Sequence, residues 1–404
     1  MNCCKVLEYI RDKEVIDFLQ KLIKIPSVYD PGKPGMNEEE VALFVADYLK
    51  KMDFEVVVEE VSPGRPNVIA VIEGHKPGKT ILLEAHTDVV TPGNTLEWKH
   101  HPFRAEIENG RIYGRGACDT KGNLAAAVMA VKAIKESVTQ FKGKIMLCFP
   151  VDEEGMMTGI KHFIKRGWAD DVDGAIICEP EENQLCIFQK GALRAVVTSR
   201  GKMAHGAMPL SGINPNTRMA RFINMLEEYE AQEMKRLGKH EYLGYPSFTP
   251  TILKAPVEGE AQINVIPSKC ITTLDIRTVP GQDHEQIKKD IDNIIREIHE
   301  KDPDAKLEIE YIEERPWTQT PKDHPIVKAM AKSYKILTGK EPKYNGVPGA
   351  TDGTFLRCLK NIPVVVTGAG KREVPHQKDE WVSIDELLET ARLYALSILE
   401  FLNN

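Results

Sequence analysis

Five short runs of this chain are apolar on both faces: residues 68–72, 80–85, 144–151, 175–178 and 363–367. Helical segments at 124–135 and 160–166 separate several of them. A strand that is apolar on both faces has to be covered on both sides. Such runs alternating with helices predict an α/β fold, with a mostly parallel sheet under helices on both faces. Two amphipathic helices are expected before the first run. Val15, Phe18, Leu19, Leu22 and Ile23 recur at helical spacing within 15–25, and Pro26 stops the pattern. The second helix spans 37–52, with Asn37 as its cap and Glu38, Glu39 and Glu40 in its first turn.

The middle of the chain has a different rhythm. Strands are expected at 191–201, 268–277 and 307–312, and helices at 215–230 and 284–299. This is an α+β unit over 188–313, inserted between two parts of a larger domain at 1–187 and 314–404. Two domains also agree with a length of 404 residues, which exceeds what one core usually holds.

The net charge is −7, and no basic block or arginine-rich stripe appears, which argues against nucleic acid as a partner. No run approaches the ~20 apolar residues of a membrane span. Residues 1–11 lack the apolar stretch of a secretory signal. The eight cysteines (Cys3, Cys4, Cys118, Cys148, Cys178, Cys186, Cys270 and Cys358) show no zinc-ribbon spacing. They read as reduced thiols of a cytoplasmic protein.

Four of the apolar runs lead into residues that bind metals or move protons. His86 and Asp88 follow ILLEA, and Asp152-Glu153-Glu154 follows KIMLCFPV. Glu179 follows GAIIC, and His376 comes shortly after PVVVTG. Asp119 ends a Gly-rich loop, Gly114 to Asp119, that enters the helix beginning near Leu124, where it could also act as a cap. In open α/β sheets ligands bind beyond the carboxyl ends of the strands, so these residues can converge. Burying three carboxylates together is costly without positive charge. A pair of divalent ions would offset Asp119, Glu154 and Glu179, and two imidazoles beside carboxylates suit zinc. His86 and Asp88 share one face of an extended strand, so Asp88 can accept the other ring N–H of His86. Glu153 and Glu154 cannot both point at one ion from an extended backbone. One can coordinate while the other acts as a general base on water.

The stretches LLEAHTDVV, WKHHPFRAEIENGRIYGRGACDTKG, VDEEGMMTG, ICEP, RGKMAHGAMP, INVIP, LDIRTVPG, GATDGTF and VPHQKDEWVSIDEL follow one another from residue 82 to 387. In this set and order they resemble the zinc aminoacylase and carboxypeptidase G superfamily, in its acetylornithine deacetylase and succinyl-diaminopimelate desuccinylase branch. The resemblance implies that His86, Asp119 and Glu179 hold one metal and that Asp119, Glu154 and His376 hold the other, with Asp119 bridging. It implies Glu153 as the general base, Asp88 as the residue that orients His86, and a cis peptide between Asp119 and Thr120. In the insert it implies that His205 polarises the scissile carbonyl from the partner subunit of a homodimer. Asn264 and Arg277 would grip the polar end of the substrate, and Gly353 lies where the family has a substrate loop. The insert would serve as lid and dimerisation domain.

Two positions depart from the desuccinylase pattern. Lys190 stands where an arginine usually precedes the glycine of the insert's first strand, and Thr354 replaces the arginine of TSDGRF. Bidentate grip on a carboxylate favours arginine, so both changes weigh against a succinyl group in particular. The expected activity is metal-dependent hydrolysis of an N-acyl amino acid. The expected cofactors are two divalent ions, zinc or else cobalt or manganese, about 3.5–4 Å apart. A dipeptidase or carboxypeptidase on the same centre is the alternative. A non-catalytic metal-binding homologue would lack a ligand or the base, and this chain has all six.

Overall fold

A computed structural model describes residues 3–33, 35–137 and 140–404. The side chains of Cys3 and Cys4 lie outside the described residues. The chain divides into two compact units. The first holds Met1–Ile187, Gln319–Asn345 and Thr351–Asn404, and the second holds Phe188–Thr318 and Gly346–Ala350.

A 3-10 helix, Cys3–Tyr9, precedes α1 (Asp12–Ile23), which buries Val15, Phe18, Leu19, Leu22 and Ile23 as its spacing requires. The Lys121 side chain donates to Leu22 O and Ile25 O at the end of α1, and its burial lowers its pKa to about 7. In α2 (Glu39–Lys50) the Asn37 side chain accepts the Glu39 N–H at 3.0 Å. Glu38 is not a solvated first-turn acid. It is fully buried against Arg65. Then come β1 (Glu55–Ser62), absent from the expected strands because its burial is partial and irregular, and β2 (Arg65–Glu73). They are followed by β3 (Lys76–Glu84), β4 (Glu106–Glu108), β5 (Arg111–Tyr113) and α3 (Lys121–Glu136). This part ends with β6 (Lys142–Phe149), α4 (Thr158–Lys165), β7 (Gly174–Ile177) and β8 (Leu185–Gln189).

The second unit contains β9 (Gly191–Arg200), β10 (Ala204–His205), α5 (Pro215–Leu237), β11 (Ser247–Lys254) and β12 (Val265–Ile266). It closes with β13 (Lys269–Thr278), α6 (His284–Lys301) and β14 (Lys306–Arg315). Its sheet is antiparallel, in the order β11-β13-β9-β14. Leu193, Ala195, Val197, Leu274 and Ile276 line one face and pack with Met219, Phe222, Ile287 and Ile291 of the two helices. The alternation of β9 and β13 comes from this one-sided burial. The chain returns to the first unit at Gln319, a few residues beyond 313, because β14 runs on to Arg315 opposite Ala192.

The remainder comprises β15 (Thr318–Gln319), α7 (Pro325–Thr338), β16 (Tyr344–Val347), α8 (Gly353–Lys360), β17 (Val364–Val366), β18 (Trp381–Ser383) and α9 (Ile384–Asn403). The main sheet of the first unit runs β1-β2-β6-β3-β7-β17, with β8 beside β17. Its centre is parallel, and β1, β2 and β8 are antiparallel additions at the edges. Among the described residues no helix is long and apolar enough to cross a membrane.

Candidate metal centre

The strands β6, β3, β7 and β17 run parallel, so their carboxyl ends share one edge of the sheet. His86 and Asp88 leave β3, Asp152 to Glu154 leave β6, Glu179 leaves β7, and His376 sits on the loop after β17. Short cross-links hold these loops together. The Thr87 N–H and hydroxyl both donate to Pro150 O, and the Asn123 side chain exchanges hydrogen bonds with Ala369.

Two groups of donors converge there. His86 Nε2 is 3.1 Å from Asp119 Oδ1 and 3.7 Å from Glu179 Oε1. His376 Nε2 is 2.9 Å from Glu154 Oε1 and 3.5 Å from Asp119 Oδ2. Within each group the donor atoms lie within 4.8 Å of one another. Asp119 thus turns one oxygen to each group and does not cap α3, whose capping residue is Thr120. The Asp119–Thr120 peptide is cis. A tetrahedral ion with bonds of about 2.1 Å sets its donors about 3.4 Å apart, so both groups have the spacing such an ion needs.

The electrostatics ask for positive charge. Burial pushes the Glu179 carboxyl well above its usual range, and the charge of Asp119 adds to the shift. Burial and Asp119 also raise Glu154. Burial opposes a charged His86 ring, yet hydrogen bonds to Asp119 and Asp88 and the charge of Glu179 hold its pKa well above the ordinary value. Hydrogen bonds to Asp119 and Glu154 push His376 up to about 10. Asp119 is buried too, but its bonds from His376 and His86 keep its pKa below the usual carboxylate range. In the protein alone, protons on the two imidazoles are the counter-charge. A donor set of imidazole and carboxylate oxygen that gathers protons in this way fits divalent ions, which would replace those protons.

Glu153 belongs to neither donor group. Burial raises its carboxyl well above the ordinary range; His86 opposes the shift, and Glu154, Asp119 and Asp88 add to it. Asp88 faces His86 with both its carbonyl and its carboxylate. His86 Nδ1 meets the main-chain carbonyl of Asp88 at 2.9 Å, while the Asp88 carboxylate is 3.5 Å away. That carboxylate also accepts the N–H groups of Glu153 and Glu154, at 3.2 and 3.0 Å. Gly353 opens α8, and its N–H donates to the Thr351 hydroxyl.

The other expected residues lie in the second unit. His205 is exposed and pairs across β10 and β12 with Val265, and Gly206 N–H donates to Asn264 O. Arg277 lies near the far end of β13 with its guanidinium on the Asp275 carboxylate, at 2.6 and 3.0 Å. His205 and Asn264 are therefore brought together, and Arg277 is not with them.

A profile of peptidase family M20/M25/M40 matches residues 82–400. The chain belongs to that family. It is a hydrolytic enzyme acting on amides. A probable succinyl-diaminopimelate desuccinylase of Staphylococcus epidermidis is 27% identical over 406 residues, covering 95% of this chain and 97% of that protein. The N-formyl-4-amino-5-aminomethyl-2-methylpyrimidine deformylase of Bacillus subtilis is 28% identical over 424 residues, covering 98% and 96%. Among solved structures, an M20 family metallo-carboxypeptidase from Sulfolobus solfataricus superposes with a TM-score of 0.79 at 22% identity, covering 96% of this chain and 99% of that one.

Around the M20 donor groups stand residues that sequence reasoning missed. Arg65 pairs with Glu38, donates to Asp152 Oδ1 at 3.0 Å and stacks on Tyr29. Asp152 Oδ2 accepts the Met156 and Thr158 N–H groups and the Thr158 hydroxyl, which shapes the turn carrying Glu153 and Glu154. Glu380 pairs with Arg115 and accepts the N–H groups of Cys118 and Asp119. The available signal was position alone: Asp152 precedes Glu153, and Glu380 lies inside the quoted VPHQKDEWV stretch.

Proposed function

We propose that this chain hydrolyses the amide bond of an N-acyl amino acid, releasing the amino acid and a carboxylic acid. The observation that carries the reading is the position of Asp119, whose two oxygens face two separate donor groups beside a carboxylate, Glu153, that joins neither. His86, Asp119 and Glu179 hold one divalent ion, and Asp119, Glu154 and His376 hold the other. When bound, such a pair supplies Lewis-acid polarisation of the amide and makes water acidic enough to attack near pH 7; the donor set favours zinc, with cobalt or manganese as alternatives. Glu153 takes a proton from the attacking water and passes it to the departing nitrogen. Asp88 holds the backbone of Glu153 and Glu154, so that base and ligand keep their separate directions.

The two curated relatives named above are both named for removing an acyl group from nitrogen, which supports deacylation over peptide cleavage. Succinyl is the disfavoured acyl group. Lys190 donates to Tyr245 O at 2.6 Å, and Thr354 is fully buried, so neither offers the bidentate grip of an arginine. Gly353, next to Thr354, would lie along the substrate.

The second unit acts as lid and as the seat of a homodimer, with Arg277 binding the polar end of the substrate held by its own chain, and with His205 and Asn264 both reaching the partner's substrate, His205 at its carbonyl oxygen and Asn264 at its polar end. Strand length supports action across subunits. At about 3.3 Å per residue, the part of β13 between Lys269 and Arg277 puts roughly 25 Å between Arg277 and the His205 end of the same unit. One small substrate cannot touch both within one chain. Met203, Met208, Leu210, Ile252, Leu253 and Ile263 are exposed apolar side chains of this unit, as a self-associating surface would need. Six described cysteines are free and five of them buried, which supports a reducing, cytoplasmic location.

The test is a panel of acetyl, formyl and succinyl amino acids against dipeptides, with zinc- and cobalt-loaded protein. Turnover of one of the acyl amino acids is expected. Cleavage of dipeptides alone would replace the proposal with the dipeptidase or carboxypeptidase reading, and two bound ions with no turnover of any amide would favour a non-catalytic homologue.

A further inference from the structure

Glu380 has no part in the chemistry proposed above, yet its carboxylate is completely enclosed and every oxygen is used. Its side chain is 0% exposed and that of Arg115 is 3% exposed. Oε2 accepts from Arg115 Nη1, while Oε1 accepts the N–H of Cys118 at 2.9 Å and of Asp119 at 3.0 Å. The Glu380 carbonyl accepts the Gly114 N–H at 2.8 Å, and the carboxylate of the preceding Asp379 accepts the His100 N–H at 2.8 Å. His376 lies four residues before Glu380, on the same loop.

We infer that Glu380 is a positioning residue that presets Asp119 and His376 for their two ions, by locking the loop of one onto the loop of the other. The inference rests on the metal-ligand reading of Asp119 and His376. An acceptor shared by two consecutive amides fixes the peptide planes on the amino side of Asp119. That fixes the direction in which its side chain leaves the backbone. Asp119 needs that direction because one carboxylate has to present an oxygen to each of two groups. Glu380 is joined by backbone to His376, so the same contact sets the distance between the two loops. A buried ion pair adds little net stability by itself, so the Arg115–Glu380 pair alone does not account for the arrangement. Charge-assisted bonds to main-chain N–H groups are the part that reaches the metal ligands.

The test separates positioning from structural support. Glu380→Gln keeps the shape, but one amide oxygen cannot serve Arg115 and both N–H groups, and the NH₂ group has to face a donor. Metal-free wild-type and variant proteins are titrated with zinc by calorimetry and with cobalt by its visible absorption. Wild type is expected to take up two ions. In Glu380→Gln the ion at Asp119, Glu154 and His376 should bind about 10–100-fold more weakly, with a changed cobalt spectrum and an unchanged far-ultraviolet circular dichroism spectrum. Arg115→Lys keeps the charge beside Glu380 and both amide bonds, and should titrate like wild type. If Glu380→Gln does not fold, Glu380→Asp keeps the charge but withdraws the oxygens, and the same loss of affinity is expected. A folded Glu380 variant that binds both ions with wild-type affinity overturns the inference. A wild-type protein that binds fewer than two ions overturns the metal reading itself, and the inference with it.

Discussion

His86 and His205 each sit at or just beyond the end of a strand, one in each unit. The His86 side chain is 1% exposed, with one ring nitrogen on the Asp88 carbonyl and the other facing Asp119 and Glu179. His205 is exposed, and its ring accepts the Ala207 N–H at 3.0 Å within a turn. The same contrast holds for neighbours. Asp119, Glu154 and Glu179 are mostly enclosed, while Asn264 lies open beside His205. The first unit gathers its candidate donor groups from its own loops. The second presents His205 and Asn264 in the open, where the proposed function would have a partner's substrate meet them.

The largest expected effect lies within the first unit and asks whether neighbouring glutamates have separate duties. Glu153→Ala should lower kcat by at least about 10²-fold while two ions remain bound. Glu154→Ala should instead lower the metal content. Metal analysis and kinetics on both variants check this, and exchanged phenotypes would reverse the assignment of base and ligand.

Mixing experiments probe the second unit. His205→Ala should cost about 10²–10³-fold in kcat, the usual loss for one oxyanion donor. When inactive Glu153→Ala chains exchange with inactive His205→Ala chains, one site of each heterodimer holds both residues intact, so activity should partly return. Demonstrated subunit exchange with no recovery would remove the trans arrangement, and so would a fully active monomer.

A smaller effect concerns protons. In the metal-free protein both imidazoles hold protons at neutral pH, His376 with a pKa of about 10. Ion binding has to displace them, so affinity should weaken as pH falls, by up to about tenfold per unit for each proton released. Zinc titrations at pH 6 and 8 with equal affinities would contradict this.

The contrast between the units also explains what the sequence made legible. Burial on both faces writes itself as unbroken apolar runs, and four of the five runs pointed to the loop that follows them. The candidate donors His86, Glu154, Glu179 and His376 were therefore visible after strand-like runs, and Asp119 at the end of a Gly-rich loop. β1 escaped because its residues are half-buried and charged positions interrupt the pattern. The network of Arg65, Glu38 and Asp152 joins residues up to 87 positions apart, and Arg115 and Glu380 are 265 apart. Pairing across such distances leaves no local spacing to read. Asp88 lies beside His86 in the structure, but periodicity could not foresee that its carbonyl is the nearer group to His86 and that its carboxylate also holds the Glu153 and Glu154 N–H groups.

The smallest effect tests how far the first unit's demand for positive charge extends below the donor groups. The carboxylate of Glu84, two residues before His86, is fully buried with no hydrogen-bond partner among the described residues, and so is that of Asp352. Burial pushes the Glu84 carboxyl up to about 8; His86 opposes the shift and Asp88 adds to it. Burial and the nearby Glu84 raise Asp352 in the same direction. The folded metal-free protein therefore keeps a proton on Glu84 that the unfolded chain releases in the ordinary carboxylate range. Between that range and about pH 8 the folded state binds more protons, so stability declines as pH rises and levels off beyond it. Glu84→Gln imitates the protonated acid and cannot ionise. The variant should match wild type near pH 5 and exceed it near pH 8 by roughly 1–3 kcal/mol, less than an isolated group would give because Asp352 shares the charge. Urea unfolding of both metal-free proteins at the two pH values measures this, and equal pH dependence would show that Glu84 is not the group responsible. Adding zinc to wild type should flatten the dependence, because positive charge beside His86 favours the ionised carboxylate and draws its pKa back down.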